Sequence, residues 1–324
     1  MRRFLLAAML LILVGCSHDA APPSAMRVAL VTPGSVSDVA WNAGAFAGLN
    51  QIRDSLNVEI SHVEASTPAE QEEALRSYAA QGYTLVFGHG YEFQDPAERV
   101  AKEYPGTVFA ITSGQRVSGK VVPLVFRIQE ATYLLGMLAG GLTRSGKIGF
   151  VGGMELPPIV RGYEGWLAGA RAVRPDVDSR ITWLNSFDDA AAGKEAALAM
   201  IRLGVDELHH NADAAALGIF SAVRETPGVH LYGANADQSS LAPDQVPVSA
   251  VIDLRKAMLT LARQVASESF TPQVESFGLK SGVVHLAMNA IFRDSIPATL
   301  MGRVRAAEDS ITAGTLMVGT EGVQ

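Results

Sequence analysis

The chain is poor in the residues that most often carry cross-linking or catalysis. Cys16 is its single cysteine among 324 residues, so an internal disulfide is excluded and that thiol has no companions for a metal site. Charged residues make up only 18%, the net charge is −7, and there is no basic stretch or interleaved aromatic face of the kind a phosphate backbone requires. Nucleic acid is therefore not an expected partner. Neither H-E-x-x-H nor G-x-S-x-G occurs, Ser113-Gly114 lacks the rest of a nucleophile elbow, and no phosphate-loop pattern follows Gly88 and Gly90. No catalytic residue, metal ligand or cofactor is expected. Beyond the N-terminus no apolar run reaches membrane-spanning length, since residues 133–142 are few and glycine-rich.

The N-terminus supplies an address. Arg2 and Arg3 precede an apolar run over residues 4–14, too short for a folded bilayer span but suited to a signal peptide. Leu13, Val14, Gly15 and Cys16 match a bacterial lipobox, which predicts a signal peptide over 1–16 and a lipid-modified Cys16. Residues 17–25, with two prolines and small polar side chains, read as a tether. The protein is thus expected to be held to a membrane by lipid on the extracytoplasmic side, periplasmic if the source is Gram-negative.

The remaining chain, 48% apolar overall, is long enough for two lobes. Strand patterns at 28–31, 58–63, 85–87, 108–112 and 121–126 alternate with helical patterns at 68–81, capped by Thr67, and at 96–104. After a helix over 129–142 the pattern restarts: strands at 147–151, 180–184, 207–210 and 229–233, helices at 159–173, 190–203 and 213–223. Strands at 246–252, 274–277 and 283–288 and a helix at 254–267 follow. The same alternation run twice predicts two similar α/β lobes, each a doubly wound parallel sheet, with the topological switch points able to face one another across a cleft. We place 26–126 plus about 253–278 in lobe 1 and 127–252 plus about 279–324 in lobe 2. Late elements crossing back and forth make a hinge rather than a flexible linker.

The stretch at 28–49 concentrates the chemistry. A continuously apolar strand ends in Thr32, Pro33, Gly34 and Ser35, and Asp38, Trp41 and Asn42 precede a helix rich in small residues. An indole for stacking with a carboxylate and a carboxamide suits a polar ring compound at a strand's carboxyl end. The same residues also suit a simpler role, with Asp38 or Asn42 as helix cap and Trp41 as core plug. His209 and His210, adjacent on a predicted strand, point to opposite faces, which is poor geometry for a shared metal or a proton relay.

The segments FRIQEATYLLGMLAG, IGFVGGMELPPIVRGYEGWLAGA, SVSDVAWNAGAFAGL, VFGHGYEFQDPAERVAKEYPGTVFAI, SFDDAAAGKEAALAMIRLGVDELHH and YGANADQ together resemble the basic membrane protein, PnrA-like family of substrate-binding lipoproteins. The resemblance covers nearly the whole mature chain. It implies a type I periplasmic-binding-protein fold, two Rossmann-like lobes joined by a multi-crossing hinge with the ligand between them, and work with an ABC permease and ATPase complex. Its implied ligand-binding residues are Asp38, Trp41 and Asn42, Gly90 and Tyr91, His209, Asp237 beside Gln238, and Lys280 in GLKSGVVHLA. Trp41 replaces a stacking phenylalanine, and His209 stands where a second one is expected. Ser113 and Asn235 replace aspartates, and His210, Asn211 and Asp213 replace small residues.

The expected function is that of a monomeric, non-enzymatic receptor capturing a purine or other nucleoside by hinge closure for import. A lipoprotein sensing the same ligand for a membrane receptor is an alternative, and a nucleoside hydrolase using Asp38, Asp213 or the histidine pair is a more distant one.

Overall fold

The computed structural model describes residues 26–38 and 40–319; the lipobox and Cys16 lie outside the described residues. The chain opens with β1 (Arg27–Thr32), α1 (Trp41–Leu56), β2 (Glu59–Glu64), α2 (Pro68–Ala80) and β3 (Leu85–His89). A single turn of 3₁₀ helix at Tyr91–Phe93 leads into α3 (Gln94–Glu103), followed by β4 (Val108–Thr112) and β5 (Val121–Phe126). The second series is α4 (Ile128–Leu142), β6 (Lys147–Gly152), α5 (Pro157–Val173), β7 (Asp178–Trp183), α6 (Ala190–Arg202) and β8 (Glu207–Asn211). It continues through α7 (Ala216–Arg224), β9 (His230–Asn235) and β10 (Val248–Ile252). The chain closes with α8 (Leu254–Ala266), β11 (Glu275–Phe277), β12 (Val284–Met288) and α9 (Ala298–Thr312).

Two six-stranded sheets result, in the orders β11-β5-β4-β3-β1-β2 and β12-β10-β9-β8-β6-β7. The first is parallel throughout, and in the second only β12 runs antiparallel, against β10. The order reverses at β1 in one sheet and at β6 in the other, so each has its switch point where a ligand crevice opens. This is the two-lobed α/β architecture expected from the repeated alternation. The inner strands β1, β3, β4 and β5 are buried almost end to end, as parallel strands covered by helices on both faces must be.

Local signals explain most boundaries. Thr67 accepts from the Glu70 amide while the Glu70 carboxylate accepts from the Thr67 amide, a capping box with proline at the first helical position. The expected helix at 213–223 begins three residues later, because Asp213 has φ +49° and takes part in a 3₁₀ turn first. Helix α9 was not expected; its buried Leu300, Val304 and Ile311 form a sparse stripe on an otherwise polar segment.

Helices α4 and α5 pack closely because glycines face each other's backbones. A Cβ on Gly136 would collide with the Trp166 carbonyl, and one on Gly169 with that of Tyr133. The chain passes between the sheets after β5, after β10 and after β11. The passages are tied together: buried Glu130 accepts from the Leu279 amide at 2.7 Å, and the Arg127 amide donates to Phe277 at 2.8 Å.

Candidate ligand cleft

A cavity opens where the carboxyl ends of the two sheets meet, with about 130 Å³ open to the centre of a water molecule. Trp41 and Asn42 enter it from the start of α1, Gly90 to Glu92 from the turn after β3, and Ser113 and Phe126 from the ends of β4 and β5. The other sheet contributes Phe187 and Asp188 before α6, Asn211 and Asp213 after β8, and Asn235 at the end of β9. Ser113, Asp213 and Asn235 all have left-handed backbone, at φ 59°, 49° and 65°. Strain of this kind gathers where side chains must be aimed at a common point. Gly90, at φ +146°, lies so close to Glu92 that a Cβ would come within 2.5 Å of its carboxylate.

Trp41 is held from below. Its indole lies 4.2 Å from the His89 imidazole, centroid to centroid, at 27°, and Phe126 meets it edge-on at 6.3 Å. His89 Nε2 is 3.0 Å from the Trp41 carbonyl, which can only accept, so Nδ1 accepts from the Thr112 hydroxyl at 2.9 Å. Burial pushes the His89 pKa down to about 3, and the ring is neutral.

Asp38 does not line the cavity. Its carboxylate accepts from the amides of Asn42 at 2.6 Å and Ala43 at 2.8 Å, closing the N-terminus of α1. Across the interlobe gap, Asn42 Nδ2 reaches Asp213 Oδ2 at 3.5 Å. Burial, and then the nearby Asp38 carboxylate, push Asp213 up to about 8. Burial also raises Glu92.

Of the residues anticipated from sequence, Trp41, Asn42, Gly90 and Tyr91 meet at this cavity, as do the noted replacements Ser113, Asn211, Asp213 and Asn235. His209, Asp237 and Lys280 are not among its lining residues. His209 is two residues short of the end of β8, which puts it roughly 7 Å deeper in the sheet than Asn211. There it contacts Phe150 and Trp166, and its Nδ1 bonds the Tyr232 carbonyl at 3.0 Å. His210 faces the other way, onto Phe220 and Gln238. Asp237 is exposed and accepts from the Ser239 amide, and Lys280 is exposed on the 3₁₀ turn Leu279–Ser281. Phe187, Asp188 and Glu92 were not anticipated: the first two sit in a loop and Glu92 in a single 3₁₀ turn, where no periodicity marks them.

Comparison with known proteins places this geometry. Residues 25–301 match the family described as ABC transporter substrate-binding protein PnrA-like. The chain is 29% identical to the ABC transporter nucleoside-binding protein BmpA of Lactococcus lactis, over 95% of this chain and 94% of that protein. It is 28% identical to basic membrane protein A2 of Borrelia garinii, over 86% and 85%, and 25% identical to a purine-binding protein of Brucella abortus, over 81% and 75%. Among solved structures, an ABC transporter solute-binding protein from Aeropyrum pernix superposes with a TM-score of 0.84 at 23% identity, covering 92% of this chain and 94% of that one, a likeness of fold. The chain belongs to the PnrA-like family of ABC transporter substrate-binding proteins.

Proposed function

We propose that this protein captures a nucleoside-like ring compound between its lobes and delivers it, closed, to an ABC permease. One observation carries the reading: Trp41 from one lobe and Phe187 from the other line the same cavity, with hydrogen-bonding groups from both sheets around them. Two aromatic side chains from opposite walls suit a flat ring, each stacking contact contributing about 1 to 3 kcal/mol by analogy with nucleobases. Asn42 and Tyr91, with Ser113, Asn211 and Asn235, supply polar groups for the ring edge and an attached sugar. Relatives named as nucleoside- and purine-binding support the same class. Closure is the output, and no bond in the ligand is broken.

Lipid at Cys16 would keep the receptor beside its permease. Among the described residues no helix is long and apolar enough to cross a membrane, which leaves the tether as the means of attachment in this reading.

The test is a thermal-shift and tryptophan-fluorescence titration with adenosine, guanosine, inosine and uridine against glucose and arabinose. A ligand that binds only the folded protein raises its melting temperature by mass action. Shifts with at least one nucleoside and quenching of Trp41 are expected; shifts with the sugars alone would replace this reading with a sugar receptor.

A further inference from the structure

The cavity is lined by three carboxyl groups, Glu92, Asp188 and Asp213, and by no lysine, arginine or histidine among the described residues. Asp38 adds a fourth carboxylate behind Asp213. Arg161 on α5 does not itself line the cavity; it lies near Glu164 and behind the lining Tyr91. A second observation points the same way. Asn42 is only 4% exposed, yet its Oδ1 has no hydrogen-bond partner. Asn42 is a cavity-lining residue, and a buried acceptor left unpaired is costly, whereas Asp213 interacts with Asp38 and the Trp41 amide. The site therefore asks for donors and for positive charge.

Building on the ring-compound reading, we infer that the cleft selects cationic ring compounds over neutral and anionic ones, and that Asp213 is the residue that sets this preference. A cation between the walls would offset the repulsion between Asp38 and Asp213 across the gap and bring a donor beside Asn42. A neutral ligand leaves Asp213 to hold its own proton. An anion meets three lining carboxyl groups and no lining lysine, arginine or histidine among the described residues.

The experiment compares 1-methyladenosine, which is positively charged at neutral pH, with adenosine and with 1-methylinosine, a neutral compound carrying the same methyl group. Isothermal titration on the full-length protein at pH 7.5 is expected to give 1-methyladenosine an affinity about tenfold or more above either neutral compound. Repeating it in buffers of different ionisation enthalpy is expected to show proton release on binding the cation alone. Asp213→Asn is expected to bring the affinities together; asparagine tolerates the left-handed backbone at this position, so the variant keeps its fold. Asp188→Asn, at an exposed site near enough to Asp213 to raise it, gives a smaller reduction. Equal affinities, or tighter binding of the neutral compounds, would overturn the inference and leave the ring-compound reading intact. Glucose binding with no nucleoside bound would overturn both.

Discussion

The Trp41 indole rests on the His89 imidazole at 4.2 Å, and the same imidazole holds the Trp41 carbonyl. The proposed stacking face is thus fixed on both its ring and its backbone by one neutral side chain that does not line the cavity. His89 can do this only as the Nε2–H tautomer, which the accept-only Trp41 carbonyl selects and which leaves Nδ1 to accept from the Thr112 hydroxyl.

Trp41→Ala is expected to weaken nucleoside binding by roughly 10- to 100-fold, the worth of one stacking face, while leaving the melting temperature of the empty protein within a few degrees. Trp41→Phe should retain most of the affinity. His89→Ala, which leaves the indole unsupported, is expected to cost affinity without touching ligand, and to change Trp41 emission before any ligand is added. Affinity unchanged in both alanine variants would remove the indole from the site.

These residues show how far the sequence could be read. The apolar run of β1 and its abrupt end at Thr32-Pro33-Gly34 place Trp41 and Asn42 at a strand's carboxyl end, because that is where a buried parallel strand must hand over to a loop. Asp38 was legible both as a ligand group and as a cap, and its short bonds to the Asn42 and Ala43 amides are those of a cap. His209 looked equivalent to a stacking residue, but depth along a strand is set by where pairing ends, which one sequence does not print. Phe187 and Glu92 are fixed by tertiary contacts of loops, and α9 by a stripe too sparse to announce a helix.

Acid should destabilise the protein through its buried histidines. Burial pushes His89 and His209 down to about 3 and His210 to about 4, so all three are neutral when folded and take up protons once unfolded. With pKa values depressed by folding, the unfolded state binds more protons below pH 6.5. Stability is complete above that pH and falls as pH drops toward 4, by about 1.4 kcal/mol per pH unit for each ring. Asp213 works in the opposite sense and offsets part of this slope. Urea titrations at pH 7.0, 5.5 and 4.5 measure the net effect. His209→Phe, which keeps the contacts with Phe150 and Trp166, is expected to flatten the dependence.

The α4–α5 contact sets a different limit. Because a Cβ on Gly136 would run into the Trp166 backbone rather than into a side chain that can turn away, Gly136→Ala must push the helices apart. A loss of roughly 2 to 4 kcal/mol is expected, visible as a lower urea midpoint with an unchanged slope. Gly162, whose Cβ would meet only Ile128 at 3.7 Å, is the control: Gly162→Ala on the partner helix α5 should be neutral or slightly stabilising.

Asp38 and Asp213 stand on opposite lobes, so the charge state of Asp213 is expected to act on closure. Asp213 is pushed up to about 8, first by burial and then by Asp38. A carboxyl group whose folded pKa is raised favours the compact state at low pH, and that contribution is lost as pH rises through the folded value. Below about pH 8 Asp213 holds its proton and adds no charge to the gap. Above it, Asp213 is charged beside Asp38, and the added repulsion is expected to favour separation of the lobes. Small-angle scattering of the ligand-free protein should therefore show a larger radius of gyration at pH 9 than at pH 6.5. Asp213→Asn should hold one radius at both. An identical response in the wild type and the variant would assign the alkaline opening to some other group and remove this pair from control of the hinge.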